Sequence, residues 1–263
     1  SAASDVYKRQ DGDRTPPVFT AMQHAESKHV TTSVSPLPRR GVAFCLGRGL
    51  PVLLERFETR LIMEELPGFI VHSPVYMIEG FDNVCFFDGG RGAPQAGCCV
   101  ETVHALGVEE LLVVGLCGAF GEDIEVCDVL LPGRLLIEEG TSHHYSAGQE
   151  YTVPESPWPG EQMADFLGGF AVKRRDTVTT DAPYRQTYYK EALWRQNGFY
   201  GVDMEASALV SVCNYFGMKS AVALMASDKH PLSPDSPPWT WGNVDFKARR
   251  DDFIEACVRL AVE

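Results

Sequence analysis

The sequence has little that would carry the chain into a bilayer or onto nucleic acid. Its longest apolar run, Leu111 to Phe120 (LLVVGLCGAF), holds two glycines and falls well short of the roughly 20 residues that a membrane span requires. Clustered positive charge is equally scarce. The net charge is −13, and the basic pairs Arg39-Arg40, Arg174-Arg175 and Arg249-Arg250 stand far apart, which excludes a general affinity for phosphate backbones. No membrane and no nucleic acid are expected as partners. The eight cysteines include no CxxC pair and lie mostly inside apolar runs, where a free thiol behaves as a small hydrophobe. His143-His144 is the one adjacent histidine pair, and neighbours on a strand point to opposite faces. No metal site is expected, and the thiols fit a reducing, cytoplasmic setting.

What remains is a chain of 263 residues, 44% apolar and 22% charged, enough to bury a substantial core. Residues 1–10, SAASDVYKRQ, read as a translated transposon-derived sequencing adapter and are set aside from fold reasoning. Residues 11–40 are polar, carry Pro16, Pro17, Pro36 and Pro38, and show no sustained period, which suits an irregular N-terminal arm. Residues 41–263 read as a single domain.

From Gly41 the apolar pattern alternates between buried strands and helices. GVAFCL predicts a strand, PVLLERFETRLIMEEL an amphipathic helix opened by Pro51, and FIVHSPVYMI and NVCFFD further strands. A helix through QAGCCVETVHALG, strand LLVVG, a strand-rich middle third and a helix over Tyr184 to Gln196 follow. Then come the strand Phe199 to Val202, an Ala-rich helix, strand SAVALMASD, the proline-rich loop HPLSPDSPPWTWG and a closing helix. This alternation predicts an α/β protein with a largely parallel or mixed central sheet.

Three stretches carry chemistry. In GFYGVDMEASALVSVC, Asp203 and Glu205 flank Met204 where a strand meets an apolar helix, and buried carboxylates are costly unless something binds them. Ser227 and Asp228 close an apolar strand at the start of a loop, the position where open α/β sheets bind ligands, although Ser and Asp also simply start turns. The turn GGRGAP after VCFFD invites a dinucleotide-binding reading. However, Gln95 stands where the third small residue belongs, and LLVVG does not end in the acid that holds a ribose. A dinucleotide oxidoreductase is therefore disfavoured.

VDMEASALVSVC followed by a strand ending in Ser227-Asp228 resembles the nucleoside phosphorylase superfamily, which includes purine nucleoside and uridine phosphorylases and nucleosidases. VVGLCGAF, CDVLLPGRLL, EEGTSHHY and TVTTDAPY resemble further family segments in consistent order. The resemblance implies a three-layer nucleoside phosphorylase-like fold with a mixed central β-sheet flanked by helices. It implies cleavage of an N-glycosidic bond, with Glu205 accepting the ribose 2′ and 3′ hydroxyls, Met204 against the sugar and Asp203 supporting them. Asp228 would protonate the leaving purine at N7, oriented by Ser227, and so would hold its proton more tightly than a solvated Asp.

The family's phosphate and sugar region matches Gly47, Arg48, Gly90, Arg91, Gly92, Gly115 and Leu116, and its base pocket matches Cys117, Gly118, Thr180, Asp181 and Tyr184. The base readers of the uridine branch fall at Thr187 and Tyr189, which favours a purine.

The departures concern the acceptor. Val113 and Leu116 stand where phosphorylases present an Arg and a Ser or Thr for phosphate, and Pro51 stands where another Arg follows the first glycine loop. Arg48 and Arg91, both in glycine turns, are the candidate replacements. Water and phosphate both stay open as acceptor, with water favoured; no organic cofactor is implied, and inorganic phosphate is the one possible co-substrate.

The resemblance further implies a homodimer or higher homo-oligomer with a neighbour's histidine reaching the ribose 5′ group. His24 and His29 are candidates for it, and His143 and Tyr145 are expected nearer the pocket. Trp239 and Trp241 would close over the base or anchor their loop. The competing reading is a non-catalytic nucleoside-binding or sensing module on the same fold.

Overall fold

The structure is a computed structural model that describes residues 15–28, 30, 33–70, 72–146 and 148–263. Residues 1–10 and His29 lie outside the described residues. Within the arm, helix α1 (Ala21–Ala25) forms one short turn because Thr20 and Gln23 make reciprocal capping bonds. The main body follows as β1 (Arg40–Cys45), α2 (Gly49–Arg56), β2 (Thr59–Met63), β3 (Val75–Ile78), β4 (Phe81–Asp88) and α3 (Ala93–Ala105). Next are β5 (Glu110–Ala119), β6 (Val129–Leu130), β7 (Leu135–Glu138), β8 (Tyr151–Thr152), α4 (Gly160–Phe166), β9 (Val172–Lys173) and β10 (Asp176–Thr180). The chain closes with α5 (Tyr188–Gln196), β11 (Phe199–Asp203), α6 (Ala206–Phe216), β12 (Lys219–Lys229) and α7 (Phe246–Val262).

These strands form one mixed sheet flanked by helices. Its main path runs β2-β3-β4-β1-β5-β11-β10-β7-β8, with β12 joined to β5 and carrying β6 and β9. β5 is the hub: it pairs parallel with β1 and β12, while its last residues pair antiparallel with β11. A strand covered on both faces needs an unbroken apolar run, which ELLVVGLCGA supplies. Period two then assigns the faces. Leu111 and Val113 pack towards α3 and α6 with Val103, Leu209 and Val210, whereas Leu112 and Val114 pack towards α2 and α7 with Val52, Phe253 and Ile254.

Two local predictions are corrected. The helix expected through Leu66 ends at Arg56, because Phe57 is extended and Thr59–Met63 pairs antiparallel with β3; the sheet edge overrides the helical period. The helix expected from Tyr184 begins at Tyr188, where Thr187 accepts the Lys190 N–H, and Pro183–Arg185 forms a separate 3-10 turn.

One irregularity positions the site. β12 runs in register with β5 up to Ala226, and the register shifts before Asp228 pairs with Gly118. The extra residue is Ser227. Such a bulge re-aims side chains at the end of a strand, and here it sits where β5, β11 and β12 meet.

Candidate active site

The carboxyl ends of β1, β5, β11 and β12 surround a cavity of about 910 Å³. Its wall brings together Gly47, Arg91, Leu116, Cys117, Gly118, Tyr184, Asp203, Met204, Glu205, Ser227 and Asp228 among the residues expected from the sequence. These positions lie as far apart in the chain as Gly47 and Asp228, so only the sheet's topology gathers them.

One side of the cavity is dominated by two acids. Asp203 ends β11, and its Oδ2 accepts the N–H groups of Glu205 and Ala206 at 2.9 and 2.6 Å. It thereby satisfies donors that the first turn of α6 leaves open. Thr179 donates to Asp203 Oδ1 at 2.6 Å. Glu205, next along, accepts the Gly92 N–H on Oε1 at 2.6 Å. Both carboxyls are buried. Burial pushes both upward in pKa, and the Asp203 charge adds to the shift on Glu205. Asp203, with three donors from protein, is the better-held anion of the two. Cys45 and Cys117 also line the cavity, and burial raises both thiols well above their ordinary range, which leaves them poor nucleophiles.

The opposite arrangement surrounds Asp228. Ser227 Oγ donates to its Oδ1 at 2.5 Å, and Trp239 Nε1 donates to its Oδ2 at 2.7 Å. His230 Nε2 stands 3.2 Å from the same Oδ2, while His230 Nδ1 stands 2.7 Å from Glu191 Oε1. Burial alone would raise Asp228, but the donors His230, Ser227 and Trp239 outweigh it and hold the carboxyl below its ordinary value. The expectation that Asp228 itself retains a proton is therefore corrected: surrounded by donors, it is an anion. Trp239 and Trp241 line the cavity, and Trp241 pairs with Asp228 through an antiparallel bridge, so the loop is tied to the strand end.

The glycine turn and the arginines also differ from expectation. Gly90 and Gly92 take positive φ, and Gly115 is buried within β5; none of the three lines the cavity. The turn's N–H groups are already committed: Gly90 to Asp88, Arg91 to Gln95 and Gly92 to Glu205. Arg48 points away from the cavity into Glu55 and Asp251. Arg91 reaches the wall, yet its two terminal nitrogens hold Asp88 at 2.9 and 3.0 Å. Thr180 and Asp181 stand outside the cavity wall, Asp181 accepting the Gly140 N–H at 2.9 Å. Neither His24, which lies against Phe69, nor His143 lines the cavity. Tyr145 is also outside it, its hydroxyl donating to Glu101.

Glu191 and His230 are cavity residues that motif reading missed. His230 had a signal, since it follows Asp228 by two residues. Glu191 had none, because YYKEALWRQ gives no sign that this acid alone turns inward. Among the described residues no group of histidine, cysteine or carboxylate side chains is placed to hold a metal ion, and no helix is long and apolar enough to cross a membrane.

Comparison with known proteins bears on this geometry. A family model described as "Phosphorylase superfamily" matches residues 47–262. A DeoD-type purine nucleoside phosphorylase of Geobacillus kaustophilus is 28% identical over 204 residues, covering 74% of this chain and 85% of that protein. A guanosine phosphorylase of Halorubrum lacusprofundi is 26% identical over 184 residues, covering 66% and 71%. The structure of purine nucleoside phosphorylase from Toxoplasma gondii in complex with immucillin-H superposes with a TM-score of 0.70 at 16% identity, covering 87% of this chain and 91% of that one.

Proposed function

The chain belongs to the phosphorylase superfamily, and from that premise we propose that it cleaves the N-glycosidic bond of a purine-type nucleoside with water as the acceptor. The observation that carries the reading is the pairing, in one cavity, of a buried acid at the start of α6 with a donor-loaded aspartate at the end of β12. Glu205 offers the acceptors that a ribose diol requires, and its charge favours the cationic sugar that forms as the bond breaks. Asp228 with its donors addresses the leaving base, and the rings of Tyr184, Tyr188, Trp239 and Trp241 offer the base apolar surface. The relatives, purine nucleoside and guanosine phosphorylases by name, favour a purine.

Water is favoured by the charge inventory. Among the described residues the cavity wall carries the carboxylates of Glu191, Asp203, Glu205 and Asp228 against two cationic side chains, Arg91 and His230. Both cations are already engaged with acids. Val113 is fully buried in β5, and Leu116 presents an apolar side chain to the cavity. A phosphate dianion would enter beside four acids with no uncommitted cation to receive it, at a cost of about 4 kcal/mol for each like-charge pair at 4 Å and an effective dielectric near 20.

The test is release of free base from a panel of purine and pyrimidine nucleosides and nucleotides, read beside binding of the same compounds. Turnover of purine nucleosides supports the proposal. Tight binding without release would replace the enzyme by a nucleoside-sensing module, and a pyrimidine preference would overturn the base assignment.

A further inference from the structure

His230 links two buried acids in a chain of three side chains. Glu191 comes from α5, Asp228 from the end of β12 and His230 from the loop that follows; the His230 side chain is 14% exposed, and both carboxyls are buried. A neutral imidazole has one N–H and one lone pair. With both ring nitrogens facing carboxylate oxygens at 2.7 and 3.2 Å, the lone pair would oppose an anion on one side or the other. The trio is therefore satisfied only when it holds one proton more than a neutral imidazole between two carboxylates.

Burial opposes charge on the ring, but Asp228 and Glu191 prevail and raise His230 to about 9. Charged groups on the adjoining segments are turned elsewhere: Lys229 to Glu125, Lys190 to Glu138 and Arg195 to the Phe120 carbonyl. The ring is also sterically fixed. A Cβ at Gly118 would stand 2.3 Å from His230 Nε2, so β5 has room for this imidazole only because residue 118 is glycine. The His230 backbone N–H donates to the Ala119 carbonyl at 2.7 Å.

We propose that His230 stores the proton taken by the departing purine, passing it through Asp228, with Glu191 as the positioning residue that holds the imidazole charged and in line. The step rests on the purine-nucleoside reading above. The C1′–N9 bond breaks with its electron pair left on the purine. The His230 Nε2 proton moves to Asp228 Oδ2, and Asp228 passes that same proton to N7, which leaves the ring neutral and Asp228 again an anion. Water forms the new C1′–O bond and loses one proton, which recharges the trio through solvent.

The experiment compares His230→Gln and Glu191→Gln with wild type on a purine nucleoside and on 4-nitrophenyl β-D-riboside, whose phenolate leaves without protonation. His230→Gln should lower kcat on the nucleoside by roughly a hundredfold while leaving the nitrophenyl riboside within about threefold. In wild type the nucleoside rate should fall as pH rises past about 9, and in Glu191→Gln that limb should move to lower pH. Equal losses on both substrates would make His230 a structural clamp and overturn the proposal, as would an unchanged nucleoside rate. If His230→Gln fails to fold, an unmoved alkaline limb in Glu191→Gln overturns it alone. A wild type inert on every riboside refutes the functional reading itself; an active wild type with an indifferent His230→Gln refutes only the relay.

Discussion

The two sides of the cavity treat buried carboxylates in opposite ways. At the start of α6, burial pushes both Asp203 and Glu205 upward, with the Glu139 charge adding to Asp203 and the Asp203 charge to Glu205, and among the described residues neither has an ion-paired cation. At the end of β12, Asp228 is equally buried, yet Ser227, Trp239 and His230 surround it and hold it down. Asp203 and Asp228 each have three donors and similar depth; the charge beside them decides, a cationic ring at Asp228 and another carboxylate, Glu139, at Asp203. An undercompensated acid is poised to receive hydroxyl donors and a developing positive charge, while a compensated carboxylate beside a charged imidazole is placed to relay that ring's proton.

The comparison breaks most severely at Glu205. Glu205→Ala should lower kcat/KM by about a thousandfold, since two charge-assisted hydrogen bonds at roughly 1.5–3 kcal/mol each are lost. The variant should also cease to distinguish ribosides from 2′-deoxyribosides; retained discrimination in competition kinetics would remove Glu205 from the sugar site. Asp228→Asn should cost roughly a hundredfold in kcat with KM little changed, the mark of a group used in bond breaking. A rise in KM alone would place Asp228 in binding.

A smaller effect sharpens the contrast through stability. A carboxyl raised in the fold binds its proton more tightly than the unfolded chain does, so its contribution to stability falls as pH climbs from its ordinary value through the raised one. Glu205→Gln should therefore raise Tm at pH 8 by roughly 2–4 °C for each kcal/mol relieved and give no gain near pH 4, where wild type is already protonated. Thermal melts at the two pH values check this, and an equal gain at both would contradict the charge argument. The smallest change is expected at Arg48→Gln, which should alter base release less than about twofold, because Arg48 is closed off by Glu55 and Asp251. A large loss there would return Arg48 to the acceptor region.

Much of this was legible in the sequence because the signals are local. The continuous apolar runs of β5 and β12 announce strands buried on both faces, and an acid pair at a strand-helix junction announces a cost that a ligand relieves. The strand Thr59–Met63 was hidden because its residues also suit a helix, and pairing with β3 decides between the two. The charge state of Asp228 was hidden because it depends on Ser227, His230 and Trp239 converging on one carboxylate, which only the folded loop after β12 brings about. The commitment of the glycine turn's N–H groups to Asp88, Gln95 and Glu205 was hidden for the same reason: Glu205 lies 113 residues away from Gly92 in the chain.

The most direct test of the central claim is the identity of the sugar product when purine nucleoside is turned over in rigorously phosphate-free buffer and again with phosphate added. The account predicts free ribose at the same rate in both, because among the described residues the cavity wall offers no uncommitted cation to a phosphate dianion. Ribose 1-phosphate, formed only when phosphate is present, would contradict it.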